Sequence, residues 1–294
     1  MNAQLFLPVA LSALSLGLYD VARKHAVRDN SAVDVLLWSS VAGLAAFLVA
    51  AGCGGSLAEA ARATAAQRCL LAGKVALVGA SWTAEFLAMR RLPISLAAPV
   101  RATAPLWTLV GAIALYGETP GPWRALGMLL MVAGYVALAT IGTREGWSWH
   151  GREMGLIVLG TLLGASSALY DKFLLSRPGL APATVQLHFS AGLAMLYGAV
   201  WLARRALCPR AERTPFAWRW TIPLTGALLV LSDALYFHAV AQPDAAISLV
   251  SVFRRASVVV AFLAGGLLFR DRNLRRKGLA LLLVLAGAAL AALG

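Results

Sequence analysis

The sequence predicts an all-α membrane protein with ten transmembrane helices, arranged as two inverted repeats of five helices each. Three observations predict this fold: an apolar composition, a series of helix-length apolar segments, and an internal repeat. Of the 294 residues, 60% are hydrophobic and 13% are charged, and the mean hydropathy is +0.74. Soluble domains are about half apolar and about a quarter charged. The composition is therefore that of a polytopic membrane protein.

Ten apolar segments follow one another along the chain, separated by charged residues, glycines and prolines. A helix needs about 20 residues to cross a hydrocarbon core of about 30 Å. The segments cover residues 4–22, 32–53, 69–89, 94–117, 122–142, 153–175, 183–203, 219–241, 245–269 and 275–293. Their runs of Ala, Leu, Val and Gly do not alternate as the strands of membrane barrels do, so all ten are predicted to be helices. The first is expected to be retained, because no small-residue cleavage site follows it.

The net charge is +13, and most of the basic residues fall in loops on one side of the predicted bundle. Residues 203–219 and 269–278 are especially rich in arginine. Cytoplasmic loops of membrane proteins carry an excess of lysine and arginine, so these loops are predicted to be cytoplasmic and both termini external. The expected partners are the lipid bilayer and a small molecule, since no basic domain is present to bind nucleic acid.

The fourth and ninth spans share one sequence pattern. Residues Ile94–Glu118, ISLAAPVRATAPLWTLVGAIALYGE, align without a gap on Ile247–Asp271, ISLVSVFRRASVVVAFLAGGLLFRD. The alignment places Arg101 on Arg254, and the closing glutamate of the first copy on the closing aspartate of the second. Two arginines at equivalent positions inside apolar spans are thus a property of the repeat.

A second match joins LSLGLYD, which ends at Asp20, to ASSALYD, which ends at Asp171. The two matches predict two five-helix units, residues 1–147 and 148–294. An odd number of spans per unit means that the second copy enters the membrane from the opposite side. Such inverted repeats are the architecture of secondary transporters, whose substrate site lies at the repeat interface near the membrane midplane.

These features resemble the drug/metabolite transporter superfamily, in particular its EamA-type members with ten helices. The resemblance rests on the two spans that run into LYGE and LFRD, each followed by a basic, glycine-containing stretch, GPWRALG or NLRRKG. It implies a single-chain carrier, monomeric or dimeric, that works by alternating access as a multi-pass protein of the bacterial cytoplasmic (inner) membrane.

The stretch SVFRRASVVVAFLAGGLLFRD is also similar to the ninth helix of plastid triose-phosphate translocators and nucleotide-sugar transporters. Those helices carry a Lys-Arg pair that grips substrate phosphate, and here Arg254 and Arg255 stand at the two positions. The resemblance implies that both arginines bind an oxyanion, with Arg101 as their counterpart on the fourth span. Arginine presents a planar fork where lysine presents a point charge, so the preferred oxyanion is expected to differ.

Burial of the arginines also requires compensation, because an arginine at the centre of a membrane helix costs at least about 2.5–3.5 kcal/mol. Ser251 lies three residues before Arg254, on the same helix face, and predicts a polar cavity wall. An anionic substrate would neutralise the arginines through charge-assisted hydrogen bonds. The alternative is an internal scaffold in which Glu85 and Asp233 pair with the arginines.

Proton coupling needs side chains that titrate, which arginine does not. The candidates within the spans are Glu85, Asp233 and His238, the last with hydrogen-bonded packing as its alternative role. Asp20 and Asp171 are candidate gate residues, with ordinary pairing to Lys24 or Lys172 as the alternative. Tyr236 could stack on the substrate or belong to the core.

The sequence therefore predicts a secondary active transporter, by exchange or with protons, of a small anionic metabolite and foremost a phosphorylated one. The alternative is an EamA-type exporter of amino acids or drugs, in which the arginines bind a carboxylate or are paired internally. An enzyme is not expected, because the chain has no metal-spaced ligands, no nucleophile with a base at helical spacing and no Gly-rich phosphate loop. No cofactor or metal site is expected.

Overall fold

The computed structural model of the protein describes most of the chain. The described residues are 3–27, 30–89, 100–101, 103–143, 151–176, 180–207, 215–243, 245–254, 256–257, 259–260 and 274–293. Within these residues all regular structure is helical. The helices are α1 (Ala3–Val27), α2 (Ala32–Cys53), α3 (Leu57–Ala60), α4 (Ala65–Met89), α5 (Ala104–Tyr116), α6 (Pro122–Thr143), α7 (Arg152–Leu175), α8 (Pro182–Leu207), α9 (Thr221–Val240), α10 (Ile247–Arg254) and α11 (Leu274–Leu293).

The predicted all-α fold is confirmed. α1 and α2 correspond to the first two predicted spans and α4–α11 to the remaining eight, while α3 is a short helix that the sequence did not predict. Five helices among the described residues, α1, α2, α7, α8 and α9, are long and apolar enough to cross a membrane, and α5 and parts of α6 and α11 are shorter apolar helices. The start of the fourth predicted span and the end of the ninth, residues 94–99 and 261–269, lie outside the described residues.

The helix α4 is as long as the first helix but carries three charged residues, Arg68, Lys74 and Glu85. Charged residues lower its hydropathy and are expensive in a membrane unless they face the interior of the bundle. Two of the three, Lys74 and Glu85, do face a central cavity, as described below. The low hydropathy of this span therefore reflects charged side chains that face the interior of the bundle.

The helix packing is symmetric under exchange of the two halves of the chain. α1 packs on α9 as α7 packs on α4, α2 packs on α9 as α8 packs on α4, and α1 packs on α10 as α7 packs on α5. The remaining main contacts, α2 with α8, α5 with α10 and α6 with α11, join equivalent helices of the two halves. This is the pattern expected of two inverted five-helix units. The exact division after residue 147 stays a prediction, because residues 144–150 lie outside the described part of the chain.

The fifth and tenth spans, α6 and α11, meet backbone to backbone at glycines. A Cβ added to Gly127 would lie 2.6 Å from the Gly287 carbonyl oxygen, and one added to Gly134 would lie 2.8 Å from the Ala280 carbonyl oxygen. Small residues allow membrane helices to approach this closely, where van der Waals contact stabilises the pair. The two contacts are related by the repeat, since Gly134 aligns with Gly287 and Gly127 with Ala280.

The end of α5 is fixed by the LYGE motif of the first half. Gly117 has φ of 63° and ψ of 24°, a left-handed conformation that glycine adopts without strain, and its amide donates to the Ile113 carbonyl at 3.1 Å. The chain therefore turns sharply after Tyr116 and brings Glu118 to the first turn of α10. The glycine of this motif thus positions a carboxylate of one half against a helix of the other.

Candidate functional site

A polar cavity of about 170 Å³ lies between the two halves. Its walls come from α1, α4, α7, α8, α9 and α10, together with Arg101 just before α5. Eight charged side chains line it, four acidic and four basic, alongside aromatic residues that include Trp82 and Phe189. Charged residues inside a membrane bundle mark substrate or ion pathways. This cavity is therefore the candidate functional site.

Arg254, the residue predicted to bind substrate, is paired with Asp233 of the preceding span. Its guanidinium carbon lies 4.2 Å from the centre of the Tyr236 ring, and its Nη2 is 3.5 Å from the Ser232 hydroxyl oxygen. The Nε of Arg254 is buried and makes no hydrogen bond to a described residue. The guanidinium thus has one edge committed to Asp233, one face covered by an aromatic ring, and one donor left over.

Arg101 makes the equivalent ion pair in the first half. Its Nε lies 3.2 Å from Glu85 Oε2, and the exposed fractions of the two side chains are 26% and 14%. The corresponding values for Arg254 and Asp233 are 20% and 8%. In both halves, therefore, the repeated arginine pairs with a carboxylate from the span that precedes it, and the pair of the second half is the more buried.

Asp20 pairs locally, with Arg23 one turn later on α1. Asp20 Oδ1 lies 3.4 Å from Arg23 Nη2, with exposed side-chain fractions of 30% and 15%. The Arg23 guanidinium also lies 5.2 Å from the centre of the Tyr19 ring and 3.4 Å from its hydroxyl oxygen. Lys24, the predicted alternative partner, has a side chain outside the described part of the structure.

Asp171 pairs with Lys74, a residue that the sequence analysis did not select. The exposed side-chain fractions are 6% for Asp171 and 2% for Lys74, so this pair is the driest of the four. The Lys74 Nζ lies 4.5 Å and 4.8 Å from the ring centres of Phe189 and Phe237, which stabilise the ammonium through cation–π attraction. Lys172, the predicted alternative partner, instead donates to the Ala245 carbonyl at 2.6 Å.

The four ion pairs leave the described cavity wall without a net charge. The sequence alone indicates a surplus of positive charge, because Arg101, Arg254 and Arg255 outnumber the two carboxylates Glu85 and Asp233. The difference arises because Lys74 and Arg23 were overlooked, and because Asp20 and Asp171 were predicted to be gate residues at span ends. Arg255, the third arginine of that count, lies outside the described residues. The structure thus contains the internal pairing of Arg101 with Glu85 and of Arg254 with Asp233 that was weighed as an alternative.

The remaining predicted site residues divide between the cavity and the outer surface. Ser251 lines the cavity, and its hydroxyl donates to the Thr108 hydroxyl at 3.4 Å. Tyr236 is buried and lines the cavity, with no hydrogen bond from its hydroxyl to a described residue. His238 is exposed and is not part of the cavity wall. Of the ten predicted site residues, nine are described by the structure, and eight of these nine, all except His238, line the cavity.

Exposure of the ion pairs rises from one end of the cavity to the other. α1 and α7 are the first and sixth spans, so they run in opposite directions and place Asp20 and Asp171 towards opposite faces of the bundle. The Lys74–Asp171 pair is dry, whereas Asp20 and Arg101 are partly exposed. Water therefore reaches the cavity from the Asp20 end.

The Asp171 end is closed by polar contacts between spans. The Tyr116 hydroxyl donates to the Leu169 carbonyl at 2.6 Å. The Glu118 carboxylate accepts from the Ile247 amide at 2.6 Å, and from the amide and hydroxyl of Ser248 at 3.3 Å and 2.6 Å. A carboxylate at a helix N-terminus satisfies amides that lack partners within the helix. Glu118 thus joins the end of α5 to the start of α10, and Ser248 faces this contact and not the cavity.

Comparison with known proteins identifies the family. Residues 5–140 match the EamA-like transporter family. One solved structure, described only as a crystal structure of a protein, is 18% identical in sequence and superposes with a TM-score of 0.77 over 100% of this chain and 98% of its own. At that identity the likeness shows the fold alone. A search of curated protein sequences finds no match. Over residues 5–140, a little under half of its length, the chain thus matches the EamA-like transporter family, part of the drug/metabolite transporter superfamily, which is a family of multi-pass membrane transporters and not of enzymes.

Proposed function

We propose that this transporter is a secondary carrier for a small amphoteric metabolite of the amino-acid class, which it moves by alternating access across the bacterial cytoplasmic membrane. The observation that carries the proposal is the one-to-one balance of four basic and four acidic side chains around the cavity. A cavity without net charge can accept a zwitterion without burying an uncompensated charge.

The Arg254–Asp233 pair supplies both a cation and an anion that a zwitterion could bind. A substrate carboxylate could bind the guanidinium through two parallel hydrogen bonds, using the Nε that has no partner among the described residues. The substrate ammonium could then bind a carboxylate of the cavity wall, either the Asp233 group that the guanidinium releases or the Asp171 group that also lines the cavity. When the ion pair opens, the two charged groups of the substrate take the place of its two partners. Every buried charge therefore stays paired, and binding avoids the cost of an unpaired buried charge.

Aromatic residues around the pair could receive an apolar substrate side chain. Tyr236 already covers one face of Arg254, and Trp82, which stacks on Tyr197 at 6.4 Å, forms another part of the wall. Pockets for drug-sized ligands occupy about 300–1,000 Å³. A cavity of about 170 Å³ therefore favours a small metabolite over a drug-sized compound.

A small anion, foremost a phosphorylated metabolite, is the second candidate. It is favoured by the unused Nε of Arg254 and by the adjacent Arg255 in the sequence. An oxyanion between these two side chains would use arginine in its usual role as a planar donor. Among the described residues, however, every basic side chain of the cavity already has a carboxylate partner, so this candidate depends on Arg255.

Thermal stabilisation of the purified carrier can separate the two candidates. Three sets of compounds are compared. The first is the standard L-amino acids, the second is their analogues that lack either the carboxylate or the ammonium group, and the third is a set of phosphate esters. Ligands that bind only the folded state raise its melting temperature. Stabilisation by amino acids and not by their one-charge analogues supports the proposal. Stabilisation by phosphate esters alone supports the second candidate, and a response to neutral compounds or simple amines alone contradicts both.

Transport in proteoliposomes then tests the carrier mechanism with the compound that binds. The variant Arg254→Gln should lose uptake, whereas Arg62→Gln, the same change at an exposed loop residue, should retain it. Exchange across the membrane in both directions is expected of alternating access. Uptake by Arg254→Gln equal to that of the control would remove Arg254 from the substrate site.

A further inference from the structure

The Lys74–Asp171 pair differs chemically from the other three pairs of the cavity. The other cations are the guanidinium groups of Arg23, Arg101 and Arg254, which do not lose a proton in proteins. Lys74 is the one basic side chain of the described cavity wall that can do so. A carrier that exchanges substrate for protons needs such a group in contact with its substrate.

The surroundings of this pair exclude water. Lys74 comes from α4 and Asp171 from α7, and the ammonium lies between Phe189 of α8 and Phe237 of α9. The buried Tyr236 hydroxyl lies beside Asp171 and interacts with its carboxylate. The pair therefore stands at the dry end of the cavity, beside a polar group that could receive a ligand.

Because the pair is buried, the protonation states of Lys74 and Asp171 depend on each other. If Lys74 lost its proton alone, Asp171 would remain as an unpaired buried anion, and if Asp171 gained a proton alone, Lys74 would remain as an unpaired buried cation. Breaking a buried pair in either way is strongly unfavourable. A proton can leave Lys74 only when another cation takes its place beside Asp171.

Other charged and titratable groups face the same cavity from every side. They are Tyr19, Asp20 and Arg23 on α1, Glu85 on α4, Arg101 before α5, Asp233 and Tyr236 on α9, and Arg254 on α10. Tyr116 and Glu118 at the end of α5, with Lys172 on α7, close the adjacent face. The acids among these groups have basic partners or cap α10, and their arginines do not titrate, so none duplicates the chemistry of Lys74.

We infer that Lys74 and Asp171 form the proton site of the carrier, at which the ammonium group of the substrate displaces one proton. The inference rests on the proposed function for the identity of this cation. When the substrate ammonium pairs with the Asp171 carboxylate, an N–H bond of Lys74 breaks, its electron pair stays on Nζ, and the proton passes along the polar cavity to water at its Asp20 end. The substrate keeps its own protons. Departure of the substrate reverses each step, so substrate and proton move in opposite directions.

Proton release on binding tests the inference directly. Purified protein in weakly buffered solution with a pH indicator receives each of the standard L-amino acids, and thermal stabilisation identifies those that bind. Wild type should release about one proton for each substrate bound. Lys74→Arg keeps the charge pair but cannot give up a proton, so it should release none. Arg62→Gln, a change at an exposed loop residue outside the cavity wall, should behave as wild type.

The outcomes separate the two proposals. Binding of an amino acid to wild type without proton release overturns the proton site and leaves the proposed function standing. Equal release by wild type and Lys74→Arg also overturns the proton site. If no amino acid binds, the proposed substrate class is wrong, and a measurement without substrate decides the role of the pair.

That measurement is infrared spectroscopy of the ligand-free protein in nanodiscs at neutral pH. Lys74→Met removes the cation, so Asp171 should take up a proton and show the carbonyl band of a protonated carboxyl group. The band should be absent from wild type and Lys74→Arg, in which Asp171 keeps a cation, and from the double variant Lys74→Met/Asp171→Asn. A Lys74→Met spectrum without this band contradicts the inference, as does a wild-type spectrum that contains it.

Discussion

Asp20 and Asp171 end the same LYD motif in the two halves, yet their surroundings differ. Asp20 is 30% exposed and pairs with Arg23 on its own helix, whereas Asp171 is 6% exposed and pairs with Lys74 from the other half. In a symmetric arrangement of two inverted repeats the two sites would match. Their difference therefore shows that the described conformation is asymmetric, with one end of the cavity wet and the other dry.

This asymmetry is what an alternating-access carrier requires of each of its end states. Carriers built on inverted repeats open to one side by rocking one unit against the other around a central site. In the opposite state the exposure of the two aspartates should exchange, with Asp20 the drier of the two. The substitutions below test this comparison, and they are ordered from the largest expected effect to the smallest.

The largest effect is expected at the dry end. Asp171→Asn leaves the Lys74 ammonium buried without a countercharge, which should lower the free energy of unfolding by about 3–5 kcal/mol. Reversible unfolding in mixed detergent micelles measures it. The double variant Lys74→Met/Asp171→Asn should recover much of the loss, because no unpaired charge remains. A double variant no more stable than Asp171→Asn would show that packing, and not charge, dominates there.

The second effect concerns the centre of the cavity. Arg254→Gln should weaken binding of the amino acid that stabilises wild type by about 1.5–3 kcal/mol, or roughly 10- to 100-fold, through loss of a charge-assisted contact. Arg101→Gln should weaken it less, because its ion pair is more exposed to water. Titration calorimetry gives both values. An equal or larger loss with Arg101→Gln would place the substrate nearer the wet end.

The third effect lies at the closed face. Glu118→Ala removes the acceptor for two amides and one hydroxyl at the start of α10, and loss of a helix cap costs about 0.5–2 kcal/mol. The variant should favour opening at this face, which the reactivity of a cysteine introduced at Ser167 reports. Labelling should rise relative to the same cysteine in the wild-type background. Unchanged labelling would mean that Tyr116 and Lys172 keep the face closed without Glu118.

The smallest effect is expected at the wet end. Asp20→Asn removes a partly exposed pair between residues one turn apart, and such pairs contribute about 0–1 kcal/mol. The unfolding measurement used for Asp171→Asn gives the direct contrast. Losses of similar size for the two variants would contradict the difference in environment between the two equivalent aspartates.

The sequence predicted the fold well because the signals for it are local. Span length, loop position and the repeat are all properties of contiguous segments, and α2, α6, α7, α9 and α11 begin and end within two residues of the predicted bounds. The start of the fourth predicted span and the end of the ninth lie outside the described residues. The short helix α3 was missed, since four residues in a loop carry no periodic signal. The glycine contacts between α6 and α11 were not predicted either, because a sequence does not show which helices meet.

The site was predicted in part, and its omissions have a common cause. Arg101 and Arg254 were found because the repeat aligns them, and their pairing with Glu85 and Asp233 was considered as an alternative. Lys74 carried a signal that could have been used, a lysine within an apolar span, but it has no charged neighbour in sequence to draw attention to it. Its partner Asp171 is 97 residues away, so only the folded chain reveals the pair.

The Glu118 contact at the closed face also bears on the free-energy difference between the two end states of the carrier. Its contact uses Glu118 of the first copy of the repeat with Ile247 and Ser248 of the second, and the sequence holds the reciprocal set in Asp271, Ile94 and Ser95. The reciprocal residues lie outside the described part of the chain, and a matching contact between them is a prediction from the sequence repeat alone. If one contact forms as the other breaks, the two end states differ little in free energy, and a small imbalance such as one bound substrate suffices to shift their populations.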